Sequence, residues 1–382
     1  MPGERTRRRP DAQPSPQGVP TQPKMRDPWW DNAKMALVTL VVIGHAWTLL
    51  PVRQEVEGHL YDFLYLWHMP AFVFVTGYLS RGFSYSTERM WQLVRTVAVP
   101  YVIFECLMAL FRVYVGGEQL EDLFRDPHWP LWYLAALFFW RLLTPVFRPL
   151  TGGLVVAIGI SLAAGLWAGD TLDMARVLGM LPFFVLGLKA TPARLEWLRG
   201  PIPAIAAVGV FVGFWFFTAN LDRWAATEWL YYRAQYGELD VTTPEALATR
   251  AALLGLGMLG GFAFLALVPR RTGWFTRMGS WTLIVYLFHG FVVKGLLYAE
   301  YPEWAAAHEN LALALTTVGA AALALLLAWL PIAGRLQHLV DPLGTAEERV
   351  RRAVRLHRTT THGELAGAEH RVEERRPVPF RA

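Results

Sequence analysis

The chain has 382 residues, 54% of them hydrophobic, with a mean hydropathy of +0.28. That density of long apolar runs argues against an ordinary soluble enzyme, and the lack of short alternating segments argues against a β-barrel. The formal charge of +5 does not point to nucleic acid, because the basic residues are spread over short loops and two tails.

Residues 1–25 carry Pro10, Pro14, Pro16, Pro20 and Pro23 among Arg, Gln and Ser, and read as a disordered basic tail. The first apolar run begins near Ala33 and lacks a small-x-small cleavage site, so it is expected to stay as a membrane span. Ten spans are predicted at approximately 33–50, 60–79, 96–115, 130–147, 152–169, 174–190, 202–219, 249–268, 280–299 and 310–334. The expected fold is an all-α polytopic membrane protein, with a membrane domain over 26–334 and a polar tail over 335–382. In that tail a surface helix is expected across Thr345 to Arg358. Inner loops hold about twice as many Lys and Arg as outer loops, which places both termini in the cytosol of a cell-membrane protein. No internal repeat of the kind transporters use is visible.

In the first span Lys34 and His45 are eleven residues apart. Eleven residues make about three helical turns with roughly 20° left over and a rise of about 16 Å. Both side chains therefore share one face, Lys34 at the cytosolic rim and His45 deep in the apolar layer. Ionisable groups there are functional candidates by default. Desolvation favours a neutral imidazole, which is what a general base requires. A structural histidine bonded to a neighbouring helix is the alternative. Asp31 is three residues before Lys34 and in reach to pair with it.

The second span holds His68 and Pro70, then Gly77. His68 either faces an acceptor or steadies the Pro70 bend, and Gly77 permits close helix contact. Arg95 lies at a cytosolic rim, where a guanidinium can grip a phosphate or simply anchor the helix. Glu105 points away from the Arg95 stripe. Cys106, the lone cysteine, reads as a small core residue rather than a nucleophile. The outer loop near 220–250 combines Trp224, Trp229, Tyr231, Tyr232 and Tyr236 with carboxylates. It fits either interface anchoring or acceptor contact. In the ninth span Tyr286 and His289 share a face, whereas Ser280 and His289 point oppositely and form no Ser-His dyad. No Gly-x-Ser-x-Gly elbow and no His-Glu-x-x-His is present, so neither a serine hydrolase nor a metal site is expected.

Together these residues resemble the membrane-bound acyltransferase-3 family, in the branch similar to fucose 4-O-acetylases. The resemblance rests on Lys34-x10-His45, His68-Met-Pro to Gly77-Tyr-Leu and Arg95 to Tyr101. It continues through Leu131-Trp132-Tyr, Leu181-Pro-Phe-Phe-Val-Leu-Gly187 and Gly279-Ser280 to His289, in order over about 26–334. Lys34 stands where Arg is commoner, and Thr76 where Ser often precedes the glycine. The resemblance implies ten core helices and transfer of an acyl group, usually acetyl, from acyl-CoA to a sugar hydroxyl. His45 would be the catalytic histidine.

On this reading Lys34 and Arg95 hold the anionic end of acetyl-CoA, a co-substrate, and no cofactor is bound. His45 takes the proton of the acceptor hydroxyl, with Asp31, Tyr286 and His289 as further catalytic candidates. His68, Trp132 and Ser280 are candidates for contact with the acceptor, and Tyr286 or Ser280 for donating to the oxyanion. No activated Ser or Cys suggests an acyl-enzyme. The competing class is a transporter or flippase for a glycan or glycolipid, with buried His and Arg as relays.

Overall fold

The computed structural model describes residues 27–51, 55–120, 125–169, 171–223 and 225–350. Expectations for residues 1–25, for Trp224 and for the tail from 351 onward lie outside the described residues. Among the described residues every regular element is a helix.

Helix α1 spans Pro28–Trp47. The Asp27 side chain accepts from the Trp29 N–H and Pro28 occupies the first turn, so the sequence caps its own start. Helices α2 (Glu55–Tyr65) and α3 (His68–Ser80) follow, joined by a turn at 66–67 within one span. Next come α4 (Thr87–Leu93), a π-turn over Val94–Ala98, and α5 (Val99–Tyr114). Then come α6 (Trp132–Phe147), α7 (Gly153–Ala164), α8 (Met174–Gly179) and α9 (Leu181–Lys189). The short α10 (Pro192–Leu195) precedes α11 (Pro201–Thr218) and α12 (Thr243–Leu267), the last begun by a Thr242–Glu245 capping box. Then come α13 (Trp274–Met278), α14 (Thr282–Tyr298), α15 (Tyr301–Ala307), α16 (Glu309–Ala328) and α17 (Leu330–Val340), and residues 342–350 are helical again, where the described part of the expected tail helix lies.

Helix α3 is buried on nearly every side and sits at the centre, against α1, α6, α9 and α12. Its crossing with α9 depends on two glycines. A Cβ on Gly77 would overlap the Phe184 carbonyl, and a Cβ on Gly187 would overlap the Phe74 carbonyl. In lipid, helices gain little hydrophobic free energy by associating, so such close backbone approach carries the packing. The periphery is the reverse. Ile202, Ile205 and Phe216 on α11 and Val318 on α16 are exposed, as lipid-facing residues are.

Each of the ten predicted segments falls on a helix or a helix pair, but they are not equal. Five helices are long and apolar enough to cross a bilayer, and seven spans result if two bent pairs, α8–α9 and α14–α15, count as one each. Helices α6 and α7 are too short on their own, and α1 carries too many polar residues to qualify. These apolar helices make the chain a multi-pass membrane protein. The reading of Cys106 as a core residue is corrected: it is exposed. It shares the outward face of α5 with Val102, Leu110 and Val113, all exposed too.

Candidate functional site

Two polar residues give α1 its two working ends. Near its start, Asn32 Nδ2 donates to the Pro269 and Arg271 carbonyls at 2.8 and 3.1 Å and its Oδ1 accepts from Thr276 at 2.8 Å. Gly279 packs directly on the Asp31 carbonyl, where any side chain would collide. The first turn is thus locked to the α12–α13 region. Asp31 pairs with Lys34 at 2.8 Å, as their spacing predicts.

Lys34 lines a cavity of about 270 Å³ together with Thr76, Ser80, Arg141 and Tyr286. Arg95 does not line it, though its neighbours Thr96 and Val97 do. The Arg95 guanidinium turns instead to Glu347 at 3.0 Å and Asp341 at 3.5 Å. Arg141 comes from α6, and no ion-pair partner is found for it among the described residues. It was not among the candidate site residues of the sequence. A lone guanidinium inside the apolar run Leu131–Phe147 was the available signal.

Three turns along α1, His45 lines a second cavity of about 240 Å³. Its neighbours there include Tyr61, Tyr65, His68, Trp129, Trp132, Arg176, Tyr231 and Tyr286. Phe72, Tyr133 and Tyr286 line both cavities and form the partition between them. Tyr133 in that partition is hydrogen-bonded to Thr76.

The hydrogen bonds assign the imidazole tautomers. His289 Nδ1 lies 3.1 Å from the Val285 carbonyl, which can only accept, so that nitrogen carries the proton. In a neutral His289 ring, Nε2 is then the acceptor. His45 Nδ1 sits 2.8 Å from it and must donate. That leaves the lone pair on His45 Nε2, in a ring that lines the cavity. The Trp129 ring leans on His45 with centroids 4.4 Å apart. His68 is arranged similarly: Nδ1 donates to the Leu64 carbonyl at 2.7 Å while the ring lines the cavity. It therefore bonds back across the turn between α2 and α3 and lines the same space as His45.

The other predicted residues are placed as follows. Tyr286 lines both cavities, but its hydroxyl donates to the Pro130 carbonyl at 2.6 Å, so its proton is committed. Trp132 lines the His45 cavity, with Arg176 stacked over its ring at 4.9 Å. Ser280 is exposed on the turn before α14 and lines neither cavity. Glu105 is fully buried and accepts from both the backbone N–H and Nδ1 of His128, at 2.9 and 2.5 Å. The aromatic residues of 225–250 pack largely inward. Trp229, Tyr232 and Tyr236 are buried, and the Tyr231 hydroxyl donates to Tyr61 at 3.0 Å beside His45's cavity.

Sequence reading missed Arg176, Trp129 and Tyr65. Arg176 follows Asp173 by three residues and pairs with it at 3.1 Å, the same signature that marked Asp31 and Lys34. Trp129 and Tyr65 carried no comparable signal, since aromatic residues are common at membrane interfaces.

A family model described as an acyltransferase domain, Acyl_transf_3, matches residues 27–332. The nodulation protein NolL of Mesorhizobium japonicum is 27% identical over 212 residues, 49% of this chain and 56% of its own length. NolL of Sinorhizobium fredii is 29% identical over 178 residues, 42% of this chain and 48% of its own. The chain thus spans about half the length of the curated relatives it matches. No solved structure gives a significant match.

Proposed function

The chain belongs to the Acyl_transf_3 acyltransferase family, and from that premise we propose that it is a membrane O-acyltransferase moving an acetyl group from acetyl-CoA to a sugar hydroxyl. The observation that carries the mechanism is the 2.8 Å contact between His45 Nδ1 and His289 Nε2. It leaves a base of defined tautomer facing a cavity.

The donor enters the Lys34 cavity, which we place on the cytosolic side. Lys34 and Arg141 offer cationic donors to the phosphates of coenzyme A. Asp31 keeps Lys34 aimed, and Arg95 stands at the rim with Asp341 and Glu347 as its present partners. The pantetheine arm passes the partition, so the thioester reaches His45. His45 Nε2 takes the proton of the acceptor hydroxyl as its oxygen forms a bond to the thioester carbon. The carbon–sulfur bond then breaks, and the coenzyme A thiolate takes the proton back from the imidazolium. During that interval Nδ1–H of His45 still donates to His289, which passes the polarisation to the Val285 carbonyl. This is the role that a third group plays behind a catalytic histidine in other acyl transfers.

The test is transfer of radiolabelled acetyl from acetyl-CoA to glycan by purified protein in detergent. His45→Ala is expected to lower the rate by about 10²- to 10⁴-fold, the usual worth of a positioned base. Transfer by that variant at the wild-type rate overturns the assignment.

A further inference from the structure

Beyond Trp129 and Trp132 lies a third cavity, of about 340 Å³ and mostly polar. Trp129, Trp132 and Arg176 line both this space and the His45 cavity, so the two adjoin. Four cations face into it: Arg112 from the end of α5, Arg176 from α8, Arg233 from the outer loop and Lys294 from α14.

Each cation already meets a carboxylate. Arg176 pairs with Asp173 at 3.1 Å, Arg233 with Asp126 at 3.4 Å and Lys294 with Glu118 at 3.3 Å, and Arg112 pairs with Glu118 too. Among the described residues the four cations thus share three carboxylates, and the wall is nearly neutral. It is also dense in alternating donors and acceptors. A bare anion gains little from such a wall. A sugar hydroxyl, which both donates and accepts, is matched by it. The aromatic faces of Trp129 and Trp132 supply the apolar contact a pyranose ring uses. The loop that presents them is held from behind, since Glu105 grips His128 and Tyr286 grips Pro130.

We propose that this cavity is the recognition subsite for an uncharged sugar acceptor, read by the Arg233–Asp126 and Arg176–Asp173 pairs. The ring lies against Trp129 and presents one hydroxyl past it to His45. The proposal rests on the acyl-transfer reading above and extends it to the class of acceptor.

The experiment measures acetyl transfer by the purified full-length protein to methyl fucoside, methyl glucoside and methyl glucuronide. Arg233→Ala and Asp126→Asn change partly exposed residues, so folding is not at stake. Each is expected to raise the KM for the neutral glycosides about tenfold, the worth of one charged hydrogen bond. The KM for acetyl-CoA is expected to stay within about twofold, and Arg233→Lys to recover part of the loss. An unchanged acceptor KM in both variants overturns the subsite, as does a wild-type preference for the glucuronide. Transfer to glycan but to none of the three glycosides also overturns the subsite, whereas no transfer of acetyl from acetyl-CoA to any of these acceptors, glycan included, overturns the acyl-transfer reading itself.

Discussion

Replacing His289 with Phe isolates the most specific part of the mechanism. The ring keeps its volume but loses the nitrogen that accepts from His45 Nδ1 at 2.8 Å. In the ground state that bond joins two neutral rings and contributes about 1 kcal/mol; when His45 becomes an imidazolium it is charge-assisted and contributes about 1.5–3 kcal/mol. Only the difference, about 0.5–2 kcal/mol, acts on the barrier. That corresponds to roughly 2- to 30-fold in kcat. Losing control of the tautomer adds to it, so a fall of about tenfold or more is expected. His289→Gln is the matched control, because its amide oxygen can accept from the same proton; it should retain most of the activity that Phe loses. The assay is initial-rate acetyl transfer at saturating acetyl-CoA, with thermal unfolding measured on the same preparations. A His289→Phe protein of normal stability, with kcat within about twofold of wild type, would refute the relay.

Three further outcomes follow from the packing and the charges. Gly77→Ala places a methyl group on the Phe184 carbonyl, and overpacking of this kind costs about 1–3 kcal/mol; a clear drop in melting temperature in detergent is expected, and an unchanged one would mean α3 and α9 can separate freely. Arg141→Gln should raise the KM for acetyl-CoA about tenfold, whereas Arg95→Gln should move it by less than about threefold, since Arg95 is already engaged by Asp341 and Glu347; equal effects would reverse the donor assignment. Burial raises the Glu118 carboxyl, but hydrogen bonds from Tyr298 and Arg112 and the nearby charges outweigh it and hold it at about 2, below the ordinary 4.5. A depressed carboxyl stabilises the fold above its unfolded value and loses that contribution as pH falls through the folded one. Melting temperature should therefore fall from about pH 4.5 toward pH 2, and Glu118→Gln should flatten that part of the profile.

Helical periodicity made the first span legible from sequence. Lys34 and His45 are separated by a near-integral number of turns, and the structure puts each at its own cavity on one side of α1. The Asp31–Lys34 pair and the close contact at Gly77 were readable for the same reason, because local spacing or the absence of a side chain determines them. What stayed hidden depends on tertiary contact. Nothing within α14 says that His289 bonds His45 across 244 positions, or that Tyr286 spends its hydroxyl on Pro130. Arg95 looked like a phosphate grip because its two carboxylate partners come from the far end of the chain. Cys106 was misjudged because a residue facing lipid and one facing the core sit in equally apolar sequence.

The partition built from Phe72, Tyr133 and Tyr286 has a consequence for the cell as well as for the reaction. Under the proposed reaction the donor and acceptor hollows open to opposite faces of the bilayer, and a continuous file of water between them would be a leak. Aromatic rings set between them break any continuous file of water, so protons and small ions find no wire to follow. A two-carbon group carried on a slender thioester arm can slip past where a hydrated ion is stopped. On that proposal, the side chains that insulate the membrane voltage are the same ones the acetyl group crosses.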